Sequence, residues 1–338
     1  MSTSKKKVLI LALVFALATL VGSGVTWFAV DRVVGGFSEV DDVFSGLDEA
    51  QRPSPPGRES DGSTPTFFLV MGTDSVAGGQ TTGEDATADE GNARSDTIML
   101  IRVDGRTDRT HVVSIPRDSW VDVPGHGMNK INAAYAFGGP TLLVQTIEQL
   151  TNIRVDHFAI VDFFGFRAVT DAVGGVTVTV PFETNHHGHV FRAGPQKMNG
   201  DEALAYVRQR TNLPRGDFDR VQLQQSYLAG LLTTVRSDVS VLDFGTARDL
   251  ISAIKGAVTL DSALTNARKL KFAWQLRGLQ AKSITFLTVP YTGTGMEGEQ
   301  SVVYLDDELA ARMWTGLRSG SIDEVGSDDF NEFRYKAN

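Results

Sequence analysis

The sequence predicts a three-layer α/β domain, with helices on both faces of a central sheet, behind a single transmembrane helix. Short apolar runs rich in β-formers predict buried strands, and they read "TFFLVMGTD", "TIMLIRV", "THVVSI", "HFAIVDF", "VTVTV" and "SITFLTV". Segments of helical periodicity lie between them, as in "PTLLVQTIEQL", where apolar residues recur every three or four positions. Helices that alternate with buried strands favour a layered α/β domain.

The transmembrane prediction rests on Val8 to Val30, a run of 23 residues without a charge. This is long enough to cross a hydrocarbon core of about 30 Å as a helix. Three lysines precede the run, and Trp27 near its end fits the outer interface. We therefore expect residues 1–7 in the cytoplasm, a helix over 8–30 and the remainder outside. A cleaved signal peptide is the alternative, although its apolar core usually spans only about 7–15 residues.

The remaining boundaries follow from composition. The stretch "RPSPPGRESDGSTP" combines proline with polar residues and cannot bury a core. We therefore predict an extracytoplasmic linker over 31–65, a domain over 66–319 and a loose tail over 320–338. Further helices are predicted at "FRAVTDAVGG", at "DEALAYVRQ", over 219–236 and over 306–317.

Charge and cysteine content exclude several classes of function. The formal net charge is −9, from 32 basic and 41 acidic residues. Nucleic-acid binding that ignores sequence requires many phosphates to be neutralised, so we predict no nucleic-acid partner. The chain has no cysteine, which excludes thiol catalysis, zinc thiolate sites and disulfides. Neither a G-x-S-x-G elbow nor a Walker loop is present.

Two aspartates are placed at predicted strand ends, where loops carry function. Asp74 follows the first strand of the domain, which is predicted to stop at Gly72, and Asp96 precedes the second. Two such acids can hold Mg²⁺, which shares carboxylate ligands with phosphate oxygens, although strand-end aspartates are also common solvated caps. Arg94 and Arg117 each lie close to an acid in the sequence. Taken alone, they are typical of structural ion pairs.

The segment "YVRQRTNLPRGDFDRVQLQQ" adds a dense group of cations and acids. Arginine matches phosphate oxygens in a bidentate fashion and stays charged at any working pH. If a helix ends near Val207, Arg208 and Arg210 point the same way from extended chain. Arg220 and Gln224 lie one turn apart on the next helix. Several arginines beside carboxylates favour a metal-bound pyrophosphate over a simple carboxylate ligand.

Two further segments have simpler interpretations. "NKINAAYAFGG" supplies Lys130, Asn132 and Tyr135, and by itself it is typical of a loop with a buried tyrosine. "HHGH", with His186, His187 and His189, is interrupted by glycine and lacks the helical spacing of a zinc site. We predict a solvated loop there.

Seven ordered motifs together resemble the LytR-CpsA-Psr family of bacterial envelope proteins. They cover most of the predicted domain and read "LVMGTD", "RSDTIMLIRVD", "VVSIPRDSWVDVPG", "KINAAYAFGGP", "VDFFGFRAVTDAVGGVTV", "MNGDEALAYVRQR" and "RGDFDRVQLQQ". The resemblance implies a phosphotransferase that moves a glycopolymer from a polyprenyl-pyrophosphate carrier onto peptidoglycan, with Mg²⁺ (Mn²⁺ as an alternative) as cofactor. It also implies an apolar cavity for the polyprenyl tail.

Site residues carry over motif by motif. Asp74 and Asp96 would be the metal ligands and catalytic acids, together with Arg94 and Arg117 as catalytic cations. The implied head-group ligands are Arg94, Arg117, Lys130, Arg208, Arg210, Asp217, Arg220 and Gln224. Leu223 departs from the pattern, because the family usually has arginine there, and Arg215 could replace that contact. Two rival functions use the same residues: hydrolysis of the lipid pyrophosphate, and lipid binding by a membrane-tethered regulator without turnover.

Overall fold

A seven-stranded mixed sheet forms the centre of the computed structural model. The structure describes residues 35–58, 62–74, 94–104, 109–186, 188–209, 213, 217–238, 244–276 and 283–323. The predicted cytoplasmic residues 1–7 and transmembrane helix 8–30 lie outside these ranges. Within them, no helix is both long and apolar enough to span a bilayer.

The strands and helices are bounded as follows. The strands are β1 (Ser38–Val40), β2 (Thr66–Asp74), β3 (Arg94–Val103), β4 (Thr110–Ile115), β5 (Trp120–Val123), β6 (Gly127–Lys130), β7 (His157–Asp162), β8 (Val176–Val180), β9 (Thr184–His186), β10 (His189–Phe191), β11 (Gly194–Met198), β12 (Val258–Asp261), β13 (Ile284–Thr288), β14 (Tyr291–Glu297) and β15 (Gln300–Leu305). The helices are α1 (Ile131–Thr151), α2 (Phe163–Ala172), α3 (Gly200–Val207), α4 (Asp217–Asp238), α5 (Phe244–Ala257), α6 (Asn266–Leu276) and α7 (Asp307–Ser319).

The order of strands in the central sheet is β1-β12-β7-β2-β3-β4-β13. Strand β2 pairs in parallel with β7 and antiparallel with β3, while β4 pairs in parallel with β13. The carboxyl ends of β2, β4, β7 and β13 therefore meet the amino end of β3 at one end of the sheet. We call this the upper end.

Both faces of the sheet are covered, because side chains alternate across a strand. On β2, Phe67, Leu69 and Met71 pack into one core with apolar residues of α1 and α7. Phe68 faces the opposite core, which is completed by α2, α3, α4 and α5. The predicted mixed α/β fold with a central sheet is confirmed, and its two cores make three layers.

The first correction concerns the predicted linker. Strand β1 pairs with β12, and Val43 is buried against the core formed with α1 and α7. The Arg52 guanidinium donates to the Glu148 carboxylate and to the Val155 carbonyl. A few buried apolar residues and an ion pair hold this segment on the domain. Its average composition, which is polar, does not reveal such single contacts.

The prediction of a strand at "VTVTV" is confirmed, and this strand pairs with β11 outside the central sheet. Two other predictions need correction. "NKINAAYAFGG" is not a loop, because it forms the end of β6 and the first turns of α1. Its glycines do interrupt the helix, with Gly139 at φ 61°. "HHGH" spans the β9–β10 hairpin, in which His186 pairs with His189.

The predicted tail begins later than residue 320. Ile322 is fully buried, and the Asp323 carboxylate lies 3.0 Å from His111 Nε2. Residues 320–323 therefore pack on the domain, and the rest of the tail lies outside the described ranges.

Candidate functional site

A β-bulge marks the upper end of β2 and β3. Gly72 pairs with Thr97, but the next residue of β2 pairs with Ser95, so Asp96 is the extra residue of the bulge. Asp74 then pairs with Arg94. Bulges are frequent beside active sites, where they re-aim a side chain. The backbone thus brings Asp74, Arg94 and Asp96 to one end of two paired strands. The two aspartates were predicted to lie just outside the strands, but β2 and β3 extend to include them. Their side chains lie outside the described part of the structure.

A second group of charges follows the upper end of β4. Asp118 lies between two cations, with Oδ1 at 3.0 Å from Lys130 Nζ and Oδ2 at 3.5 Å from Arg117 Nε. The hairpin of β5 and β6 returns the chain so that Lys130 stands beside this strand end. The backbone N–H of Asn132 donates to the Arg117 carbonyl, which fixes the start of α1 beside the end of β4. The ion pair expected for Arg117 is present, and Lys130 shares it.

The third group is built where α3 ends and α4 begins. Asn199 and Glu202 form a capping box that starts α3, and Arg208 is its C-cap, so the predicted helix end near Val207 is confirmed. Arg220 on α4 is buried, with 3% of its surface exposed. The Gln224 amide donates to the Val207 carbonyl at 3.5 Å. These contacts pack the end of α3 against the first turns of α4.

Two predicted ligands of this third group, Arg210 and Asp217, have no described side chain. Arg210 lies outside the described residues, as does Arg215, and of Asp217 the structure gives only its position as the first residue of α4. Asp219, which precedes Arg220 in the sequence, is also buried.

Gln225 connects this third group to the sheet. Its Nε2, which carries two hydrogens, lies within hydrogen-bond distance of three acceptors: Ser114 Oγ at 3.2 Å, the Leu287 carbonyl at 3.1 Å and Thr288 Oγ1 at 3.3 Å. These acceptors are at the upper ends of β4 and β13. The start of α4, with Arg220, therefore lies at the same end of the sheet as Arg117.

An apolar cavity of about 200 Å³ lies between the sheet and helices α2, α4 and α5. At the upper end it is lined by Gly72, Thr97 and Gln224, and farther down by residues such as Phe68 and Phe286. The lining residues of β2 span four residue steps, or about 13 Å at 3.3 Å per residue. An apolar cavity is therefore present, as the family resemblance implies. Its lining includes Val207, the residue before Arg208, and Gln224, one helical turn from Arg220.

Tyr227 adds one polar group to this cavity wall. Its hydroxyl lies 2.8 Å from Thr170 Oγ1, and burial raises the pKa of the phenol. The tyrosine stays neutral at any working pH, and its hydroxyl is paired within the wall. Its apolar ring is therefore what the cavity presents.

Leu223 has a structural explanation. Its side chain is fully buried in the core that surrounds the cavity. An arginine in this orientation would bury a charge, which is costly without a partner. In this chain the position contributes to packing, so the cationic site is built without it.

The chemistry of the carboxylates at the bulge fits a hard divalent cation such as Mg²⁺. Among the side chains that the structure describes, there is no group of three or more His, Asp or Glu that could hold a metal ion. Asp74 and Asp96 are not among those side chains, so they remain the candidate ligands. The β9–β10 hairpin, whose His187 is not described, forms no such group with its described residues.

The fold is thus a layered α/β domain with an internal apolar cavity, and Arg117, Lys130, Arg208 and Arg220 lie at the upper end of its sheet. The chain belongs to the LytR_cpsA_psr family, whose model matches residues 45–319. The resemblance seen in the motifs is confirmed.

Similar proteins agree with this assignment. The chain is 35% identical to the cell wall biosynthesis protein LcpA of Corynebacterium glutamicum, over 95% of this chain and 67% of that protein. It is 34% identical to the polyisoprenyl-teichoic acid–peptidoglycan teichoic acid transferase TagU of Bacillus anthracis, over 74% and 78%. The crystal structure of B. subtilis TagV superposes with a TM-score of 0.61 at 29% identity, covering 77% of this chain and 97% of that one.

Sequence reasoning did not select Asp118, Gln225 or Tyr227 as parts of this site. Asp118 stands next to a selected arginine, and Gln225 falls on the same helical face as the apolar residues Val221, Leu228 and Leu232. A buried polar residue on such a face requires a partner, and this is the signal that could have identified Gln225.

Proposed function

We propose that the protein is an extracytoplasmic phosphotransferase that attaches a glycopolymer from a polyprenyl-pyrophosphate carrier to peptidoglycan. The observation that carries the proposal is the apolar cavity of about 200 Å³ whose upper end lies next to Gln224, one helical turn from Arg220. An amphipathic ligand with a long apolar tail and a polyanionic head matches both parts. The activity that the name of TagU describes is of this kind.

The cations would bind the pyrophosphate. Arg117, Arg208, Arg210 and Arg220 supply planar forks for bidentate bonds to phosphate oxygens, and Lys130 supplies a further charge. Charge that develops on the leaving phosphate is stabilised by donors already held in place. In phosphoryl transfer such positioning and electrostatics dominate catalysis.

The reaction is a single displacement at the phosphorus that bears the glycan. An acceptor hydroxyl of peptidoglycan attacks this phosphorus in line, and a new phosphorus–oxygen bond forms. The bond to the bridging oxygen breaks, and polyprenyl phosphate leaves with the electron pair. The hydroxyl proton passes to a carboxylate at the upper end of the sheet. The carrier tail stays in the cavity throughout.

Asp74 and Asp96 would hold Mg²⁺ (or Mn²⁺). When bound, the cation supplies Lewis-acid stabilisation of the pyrophosphate oxygens. Arg94, which pairs with Asp74 across the strands, would keep the head group close to these acids.

We place the protein in the cell membrane by a helix over residues 8–30, with the domain on the outer side. The basis is the uncharged run behind three lysines. Protease added to spheroplasts should digest the domain before lysis, whereas a cytoplasmic control protein should stay intact. Protection of both until lysis would contradict this orientation.

One experiment separates the proposal from its two rivals. The full-length protein in detergent is incubated with a labelled lipid-pyrophosphate glycan, Mg²⁺ and peptidoglycan oligomers. Transfer yields glycan phosphate linked to the oligomer, together with polyprenyl phosphate. Hydrolysis yields the same lipid with free glycan phosphate, and a binder without turnover yields neither product. Absence of label on the oligomer, with the protein folded and the lipid bound, would reject the transferase.

A further inference from the structure

We propose that Gln225 is a positioning residue: its amide sets the position of the first turns of α4 against the sheet, and with them Arg220 and Gln224. The inference rests on the proposed function, because it concerns the head-group end of that site. Gln225 itself is not expected to touch the substrate.

The side chain of Gln225 links α4 to two strands of the sheet. The side chain is 1% exposed, and its Nε2 contacts acceptors from two strands, Ser114 on β4 and both Leu287 and Thr288 on β13. Ser114 and Thr288 are direct partners in the parallel register of β4 and β13. A buried amide that loses such bonds is costly, so the helix has a strongly preferred position on the sheet.

Arg220 and Arg117 both lie beyond the Gln225 contacts, toward the upper end of the sheet. Arg220 lies five residues before Gln225 on α4, or about 7.5 Å along the helix axis. Arg117 lies three residues after Ser114, in the turn that follows β4, and so at most about 10 Å from it along the chain. The distance between the two arginines therefore depends on how α4 sits on β4. A misplacement of about 1 Å can reduce catalysis by roughly 10²-fold.

The far half of α4 is held independently. A Cβ on Gly230 would lie 2.4 Å from the Thr177 carbonyl, so the helix backbone lies directly against β8. The Thr177 amide donates to Thr234 Oγ1 at 3.3 Å. Without the Gln225 bonds, α4 should therefore stay folded and packed while its first turns lose their fixed position.

The test compares three variants of the full-length protein. Gln225→Met keeps the length of the side chain and removes its bonds. Thr234→Val is the matched control, because it removes a side-chain bond from the same helix, far from the head-group end. The triple variant Ser114→Ala, Gln225→Met, Thr288→Val also replaces the two hydroxyl partners by apolar groups, which can be nearly neutral for stability.

For each variant, melting temperature is measured together with kcat and KM for the lipid-linked glycan. Gln225→Met should lower kcat/KM by about 100-fold, whereas Thr234→Val should change it by less than about 3-fold even if its melting temperature falls equally. The triple variant should regain melting temperature but not activity. Recovery of activity with melting temperature would show a purely structural role and overturn the inference, as would an equal loss of activity in Thr234→Val.

A second measurement does not depend on turnover. The chain has no cysteine, so Gln222→Cys on α4 and Met128→Cys on β6 can carry spin labels at two unique sites. The distance distribution between them should broaden or shift in Gln225→Met and stay unchanged in Thr234→Val. An unchanged distribution in Gln225→Met would reject the positioning role. If wild-type protein transfers no glycan but the distribution behaves as expected, the proposed reaction fails while the positioning role of Gln225 stands.

Discussion

Filling the cavity should weaken lipid binding while stabilising the lipid-free protein. Ala159 lies in the middle of β7, pairs with Val70 of β2 and Leu260 of β12, and lines the cavity. Its replacement by leucine adds three carbon atoms that point into the space proposed for the polyprenyl tail. The perturbation therefore competes directly with the ligand.

The expected size follows from the cavity volume. A cavity of about 150 Å³ holds one benzene, so each carbon needs roughly 25 Å³. Three carbons then take up about 75 Å³, more than a third of the cavity of about 200 Å³. At about 0.8 kcal/mol per buried carbon, the tail loses about 2 kcal/mol of burial. The lipid should therefore bind about 30-fold more weakly.

The assay titrates a fluorescent polyprenyl phosphate into lipid-free protein in detergent and records melting curves with and without the lipid. Ala159→Leu should raise the melting temperature of the lipid-free protein by about 4 °C and weaken binding. Ala310→Leu is the matched control, since Ala310 is buried in the opposite core, formed with α1. Overpacking there should cost about 1–3 kcal/mol of stability without any change in lipid affinity.

Two results would refute the reasoning. If Ala159→Leu binds lipid as wild type does, the tail does not occupy this cavity. If both variants lower the melting temperature equally, the space near Ala159 is not empty in solution, and the magnitude derived from its volume is wrong.

Three further predictions concern the metal, the cavity wall and pH. Asp96→Asn should lower glycan transfer strongly and make it insensitive to a Mg²⁺ titration, whereas lipid binding should change little; wild-type rates, or indifference of wild type to EDTA, would argue against metal assistance. Thr170→Val, which removes the partner of the Tyr227 hydroxyl, should cost about 1–3 kcal/mol, more than Tyr227→Phe at about 1 kcal/mol, as measured by urea unfolding. Burial raises the pKa of the Asp156 carboxyl, although the carboxylate accepts a hydrogen bond from the Phe67 backbone N–H. Folding therefore favours the protonated form of Asp156. The stability that this form contributes is lost as the pH rises above about 4. Asp156→Asn should therefore gain stability over wild type above that pH, and parallel pH profiles would contradict this assignment.

The sequence predicted the elements that carry a long periodic or apolar signal. Strands β2, β3, β4, β7 and β13 and helices α1 and α7 were found because burial on one or both faces imposes a pattern. Strand β12 was missed, since its four residues sit between two helices. The pairing of β1 was missed because the apolar residues of that segment, of which Phe37 and Val43 are buried and Val40, Phe44 and Leu47 partly buried, follow no regular period. A long-range contact also leaves no local pattern.

The sequence indicated which residues could form the candidate site better than it indicated how the fold arranges them. The spacing of Arg208, Arg220 and Gln224 was readable because each follows from a helix end or a helical turn. The bulge at Asp96 was not readable, since it is a property of the register between two strands. The cavity was implied only by family resemblance. Its volume depends on residues from ten helices and strands that meet only in the folded chain.

The acids among the cations have a physical role that does not require a metal. Lys130 and Arg117 approach the same carboxylate of Asp118 from two sides. Without it, two positive charges close together would repel each other in the partly buried site. With it, both cations are held in place by the carboxylate, so the proposed pyrophosphate would bind with less reorganisation. The Asp118 main chain is itself fixed, because its carbonyl accepts from the Val303 amide of β15. Asp118 thus holds Arg117 and Lys130 in place for the proposed anion, whereas Asp74 and Asp96 at the bulge remain the candidate ligands for a metal cation.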